Sequence, residues 1–202
     1  MNKNVPNIIT LSRVFLTPLM ILFFLLPLNN GIGYFVAFGI YVVGSLTDAV
    51  DGHIARKYNL VSNIGKMLDS IADKFIQTSA IILVLAGTNI MDQWVAVCVL
   101  LILILRDVYI NAVRQICLTN NVVLAADFLG KLKSIFIDVA TSVLMFYIAI
   151  REIAYGSAVD MILIAGLSIL IVGVGLSVIS CVNYSVNNWS GITGKEKPKK
   201  TE

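Results

Sequence analysis

Between Asp48 and Asp73 the chain reads DAVDGHIARKYNLVSNIGKMLDSIAD, which sets four aspartates, Asp48, Asp51, Asp69 and Asp73, between two long apolar runs. An aspartate at the centre of a membrane helix costs roughly 2.5–3.5 kcal/mol, so four together would cost on the order of ten. The penalty disappears where the carboxylates lie near one membrane face, line a wet cavity and hold cations. Oxygen-only ligation, with no cysteine nearby and His53 the lone imidazole of the chain, selects a hard divalent ion such as Mg2+ or Mn2+. Two such ions about 3.5–4 Å apart suit chemistry at a phosphoryl centre: they neutralise a diphosphate, polarise the phosphorus and stabilise the leaving oxygen. A carboxylate beyond the needs of the metals serves as general base toward an incoming hydroxyl.

Two helices must position these groups. At about 100° per residue, Asp48, Asp51, Gly52, Ala55 and Arg56 fall within roughly 140° of one helix face, whereas Gly65, Asp69 and Asp73 occupy an edge about 80° wide on a second. A turn around Tyr58–Asn63 makes the helices antiparallel and lets the stripes face each other. Gly52 and Gly65 leave room for a nucleotide or for the neighbouring helix.

The surrounding chain is that of an integral membrane protein: 202 residues, 58% hydrophobic, only 13% charged, mean hydropathy +0.88. A soluble domain would carry about twice that charge. The expected fold is all-α, one domain over residues 1–202, with six transmembrane helices and a short N-terminal interfacial helix around Pro6. The spans are expected at about 15–28, 32–56, 64–86, 94 onward into the charged RDVYINAVRQ, 127–150 and 158–182, with a polar tail over about 187–202. Phe15–Leu28 leads into Asn29-Asn30-Gly31 without a small-residue cleavage site, so it is expected to stay as a helix. Cys98, Cys117 and Cys181 form no CxxC pair and read as packing.

With six spans both termini share one side, and 14 of the 15 lysines and arginines fall there, leaving only Arg151 opposite. By the positive-inside rule the termini and the aspartate stripe are cytoplasmic. Arg106 and Arg114 near the end of the fourth span, and Lys131 and Lys133 at the start of the fifth, then join the aspartates at one end of the bundle. Cations next to carboxylates suit metal-bound phosphates, although Arg106 and Arg114 could instead snorkel to the interface. Lys57, Lys66 and Lys74 read as topogenic charges, with Lys74 placed to tune Asp73; Trp94 and Trp189 read as interfacial anchors, and Asp138 has no role in the pattern.

The pattern D48-xx-D51-G52-xx-A55-R56-(x8)-G65-xxx-D69-xxx-D73 resembles the complete signature of the CDP-alcohol phosphatidyltransferases, with eight fixed residues over 26 positions. The resemblance implies transfer of a phosphatidyl group from CDP-diacylglycerol to an alcohol, release of CMP, two divalent ions and a homodimer. It assigns Asp48, Asp51, Asp69 and Asp73 to the metals, Asp73 as base, and Asp48, Gly52, Arg56 and Gly65 to the CDP portion. The opening V5-P6-N7-I8-I9-T10-L11-S12-R13, together with R106-D107, R114 and G130-K131-L132-K133-S134, resembles the bacterial subfamily whose acceptor is glycerol 3-phosphate. That implies a phosphate pocket of Arg106, Arg114, Lys131 and Lys133. Asp107 stands where Glu is usual and Ser134 where Thr is usual, and Lys131 and Lys133 lie about 200° apart on a helix. A cardiolipin synthase of the same family, with phosphatidylglycerol as acceptor, is the nearest competing reading. An ion transporter is a remote one, because the carboxylates cluster at one end instead of spreading through the membrane depth. No nucleic acid is expected as a partner; membrane lipids are.

Overall fold

The computed structural model describes residues 5–26, 28, 31–57, 63–120 and 128–189, with side chains described for 12–26, 28, 31–47, 68, 71–120 and 128–189. These residues form six helices: α1 (Val5–Leu25), α2 (Ile32–Lys57), α3 (Asn63–Ala86), α4 (Gln93–Thr119), α5 (Phe128–Arg151) and α6 (Ser157–Asn187). Three of them, α4, α5 and α6, are long and apolar enough to cross a membrane, while α1 and α2 carry shorter apolar stretches over Ser12–Leu25 and Ile32–Thr47. The surface that remains exposed is itself apolar, with Phe15, Val43, Leu101, Ile104, Ile171 and Val182 facing outward, as a lipid solvent requires. This is a membrane protein.

The short interfacial helix expected before the first span is not a separate element. Val5–Leu25 is one continuous helix that contains Pro18. The remaining boundaries lie close to those expected from the apolar runs, except that α6 continues to Asn187, about a turn beyond Val182. Residues 190–202, which hold the four tail lysines, lie outside those described.

The centre of the bundle is α5, which buries Ile137, Ala140, Leu144, Met145, Tyr147 and Ile148 against its neighbours. Without a hydrophobic drive between helices in lipid, close backbone approach supplies the attraction. Gly166 and Gly173 of α6 provide it: a Cβ on either would come within 2.7 Å of Leu144 Cδ2 or Ile137 Cδ1 of α5. The helix α1 packs on α2 and α3, and α4 is held between α3 and α6. Asp92 caps α4 by accepting from Trp94 N at 2.9 Å and Val95 N at 3.4 Å, satisfying donors that the helix leaves open. At the same end, Gly31 has φ +68° and sits against Glu152, where a Cβ would approach Glu152 Cβ to 2.7 Å. That contact joins the α1–α2 turn to the α5–α6 turn. All three cysteines are free thiols, and Cys117 packs with Ile110, Val113 and Tyr184 between α4 and α6.

Candidate active site

The signature lies where two antiparallel helices meet: Asp48, Asp51, Gly52 and Arg56 on the last turns of α2, and Gly65, Asp69 and Asp73 on the first turns of α3. Of these, Asp73 alone has a described side chain, half-buried and engaged in an interaction. The expectations for Asp48, Asp51, Gly52, Arg56, Gly65 and Asp69 concern side chains and contacts outside those described. The helix register nevertheless bears on them. Gly44 of α2 meets Ile76 of α3 so closely that a Cβ would come within 2.5 Å of Ile76 Cδ1. Asp48 lies four residues beyond Gly44 and Asp73 three before Ile76, so along their axes both are within about 6 Å of that contact. An all-carboxylate set at such a junction fits a hard divalent ion.

Beside Asp73, from Lys74 onward, the described side chains converge on Asp107 of α4. Its Oδ1 accepts from Lys133 Nζ at 2.6 Å and from Arg106 Nη1 at 3.0 Å, and its Oδ2 lies 3.1 Å from Lys74 Nζ. Arg106 reaches the carboxylate from the α6 side, where its Nη2 donates to Ser180 Oγ at 2.7 Å. Lys133 is 3% exposed. An ammonium so deeply placed is tolerable only with an anion against it. Three cations share one carboxylate, so the four ion-paired groups carry a net charge of +2.

Lys74, Gln77, Asp107, Asn111 and Lys133 also line one end of a cavity of about 210 Å³ between α3, α4 and α5, whose other end is walled by Ile81, Leu100, Leu103 and Ile137. A second polar group adjoins it. Asp138 Oδ1 accepts from Gln77 Nε2 at 2.6 Å and from Tyr41 Oη at 3.1 Å, and Gln77 Oε1 lies 3.5 Å from Lys74 Nζ.

The four basic residues singled out from the sequence are thus divided. Arg106 and Lys133 meet on Asp107, but Arg106 stands behind it and outside the cavity wall; Arg114 and Lys131 are exposed and line no part of the cavity. The helical angle between Lys131 and Lys133 accounts for their split, since α5 turns the second inward and the first outward. Lys74, Gln77, Asp107 and Asn111 line the cavity without having been singled out for it, and Tyr41 and Asp138 adjoin it. Asp107 appeared in the sequence only as a neighbour of Arg106 and Lys74 only as a neighbour of Asp73; the others showed only as polar side chains in otherwise apolar helices.

A family model for CDP-alcohol phosphatidyltransferase matches residues 3–179 of this chain. The chain belongs to this family. Among curated proteins, it is 30% identical over 199 residues to the CDP-diacylglycerol–glycerol-3-phosphate 3-phosphatidyltransferase of Bacillus subtilis, covering 94% of this chain and 97% of that one. It is 32% identical over 183 residues to the enzyme of the same name from Rickettsia prowazekii, covering 91% and 94%, and 33% identical over 136 residues to that of Escherichia coli, covering 66% and 72%. As a CDP-alcohol phosphatidyltransferase it is a transferase of phospholipid biosynthesis.

Proposed function

We propose that this enzyme transfers the phosphatidyl group of CDP-diacylglycerol to sn-glycerol 3-phosphate, giving phosphatidylglycerophosphate and CMP. A free hydroxyl oxygen of the acceptor forms a bond to the phosphorus that carries diacylglycerol. The bond from that phosphorus to the bridging oxygen of CMP breaks, and the hydroxyl proton passes to the carboxylate of Asp73. Asp48, Asp51, Asp69 and Asp73 would hold two divalent ions, Mg2+ or Mn2+, which when bound neutralise the pyrophosphate and stabilise the departing CMP oxygen. Asp48, Gly52, Arg56 and Gly65 surround the CDP portion. Lys133 and Lys74 receive the acceptor phosphate, Asn111 adds a neutral hydrogen-bonding group, and Arg106 braces Asp107 from outside the cavity.

The observation that carries this reading is the partly buried surplus of positive charge around Asp107, one of whose cations, Lys74, directly follows Asp73 in α3. A phosphomonoester acceptor brings about two negative charges and matches it; a neutral alcohol gains nothing from it. Further support comes from the names of the relatives, each of which covers most of this chain. In the proposed topology six spans place both termini and the site on the cytoplasmic face of a bacterial plasma membrane, supported by the 14 of 15 basic residues on that side. The homodimer implied by the family resemblance belongs to the same proposal, and the exposed apolar faces of α4 and α6 are open to a second copy or to lipid.

The test is acceptor competition. Purified protein with CDP-diacylglycerol and Mn2+ is offered glycerol 3-phosphate, phosphatidylglycerol, inositol phosphate or serine, and the lipid product is identified. Product with glycerol 3-phosphate, absent in Asp73→Asn and after chelation, is expected. Product with phosphatidylglycerol in its place would reassign the enzyme as a cardiolipin synthase.

A further inference from the structure

The Asp138 carboxylate lies on the face of α5 turned toward α2 and α3, more than a helical turn from Lys133 along the same helix. Neither the metal site nor the acceptor pocket uses it. A carboxylate only accepts hydrogen bonds, so the 2.6 Å contact with Gln77 must come from the amide nitrogen of that residue. With Nε2 committed, Oε1 is the end of the amide left over, and it points to the Lys74 ammonium 3.5 Å away. That separation is long for a hydrogen bond but well within ion–dipole attraction. Tyr41 Oη, wholly buried on α2, donates to the same carboxylate oxygen and anchors it from a second helix.

Lys74 needs such a hold. Its side chain is 38% exposed, and a four-carbon stem carrying one ammonium ranges over many rotamers. Two acceptors on different helices, Asp107 Oδ2 of α4 and Gln77 Oε1 of its own helix, confine it to the end of the cavity where Lys133 also lies.

We propose that Gln77 and Asp138 are positioning residues of the acceptor pocket: Asp138 fixes the orientation of the Gln77 amide, and Gln77 holds the Lys74 ammonium beside Asp107. The inference rests on the reading of that pocket as the site of the glycerol 3-phosphate phosphate group. Neither residue touches the reacting atoms. Their effect is on how well the acceptor is gripped, not on how fast phosphorus is attacked.

The experiment is steady-state kinetics of the full-length enzyme in detergent micelles, varying glycerol 3-phosphate and CDP-diacylglycerol separately. Gln77→Leu and Asp138→Leu are expected to raise the KM for glycerol 3-phosphate about tenfold, the loss of one charge-assisted contact, with kcat and the KM for CDP-diacylglycerol changed by less than about twofold. The near-isosteric Gln77→Glu removes the amide donor and sets carboxylate against carboxylate, so it should raise the same KM. Adding Asp138→Asn restores a donor on the opposite side and should bring the KM back to within about threefold of the parent. The exchange also carries the test if the leucine variants do not fold. A role in folding alone would lower yield and kcat without this selectivity and without rescue by the second change. Lys133→Ala is the control for the pocket. If it raises the KM while the Gln77 and Asp138 variants do not, the positioning role is overturned and the pocket stands; if none of them moves it, both fall.

Discussion

Two acidic side chains on successive helices, Asp107 of α4 and Asp138 of α5, meet opposite surroundings. Asp107 is ringed by Lys74, Arg106 and Lys133 and is outnumbered by them. The hydrogen bonds described for Asp138 come from neutral donors, Tyr41 and Gln77. The first arrangement leaves positive charge over, so an incoming phosphate can take up donors that Asp107 only partly neutralises. The hydrogen bonds described around the second tie it to two neutral side chains on neighbouring helices, a geometry suited to positioning. Gln77 touches both, with its nitrogen on one carboxylate's side and its oxygen toward a cation of the other. In the proposed pocket, recognition and positioning are thereby divided between two carboxylates that look alike in the sequence.

The sharpest way to break this contrast is to remove the most deeply placed of the three cations around Asp107. Lys133→Ala is expected to lower kcat/KM for glycerol 3-phosphate about a hundredfold, the cost of deleting a buried charge-assisted contact of about 3 kcal/mol. A loss under fivefold would take the phosphate elsewhere. Next comes Asp107→Asn, which leaves three cations crowded without their anion. It should destabilise the protein by about 3 kcal/mol in thermal unfolding, and glycerol 3-phosphate should then raise the melting temperature more in the variant than in the parent. Asp138→Asn, measured the same way, should cost about 1 kcal/mol and show no added stabilisation by the ligand. Equal ligand responses in the two variants would erase the distinction between the carboxylates. The smallest effects belong to Arg114→Ala and Lys131→Ala. Both side chains are exposed and off the cavity, so the KM for glycerol 3-phosphate should stay within about twofold of the parent.

How far the sequence could be read follows from the range of the forces involved. The helices were legible because apolar runs and polar breaks are local properties, and α2 to α6 begin within about a residue of where the runs begin. The acidic signature was legible for the same reason: its spacing lies within two successive helices. The basic pocket was not, because it depends on rotations of α3, α4 and α5 about their own axes, which interhelical packing decides. Lys133 and Lys131, two residues apart, end on opposite sides, and Lys74 leaves a set of seemingly topogenic lysines to join Asp107. Asp138 was conspicuous in an apolar run, but its partners are 61 and 97 residues away in the chain, beyond any periodicity. The short helix expected around Pro6 is continuous with the first span, because no break separates the two in α1.

The tight seat of Gly31 against Glu152 has a practical corollary for anyone labelling the molecule. A tag or reporter placed in the first interhelical turn would wedge two hairpins apart, whereas Tyr155, 86% exposed beside a Gly156 with open space around it, offers a harmless foothold on the same end. With Cys98, Cys117 and Cys181 replaced by alanine, a thiol introduced there by Tyr155→Cys would report which side of the membrane that end occupies in intact cells, away from the proposed site at the far end.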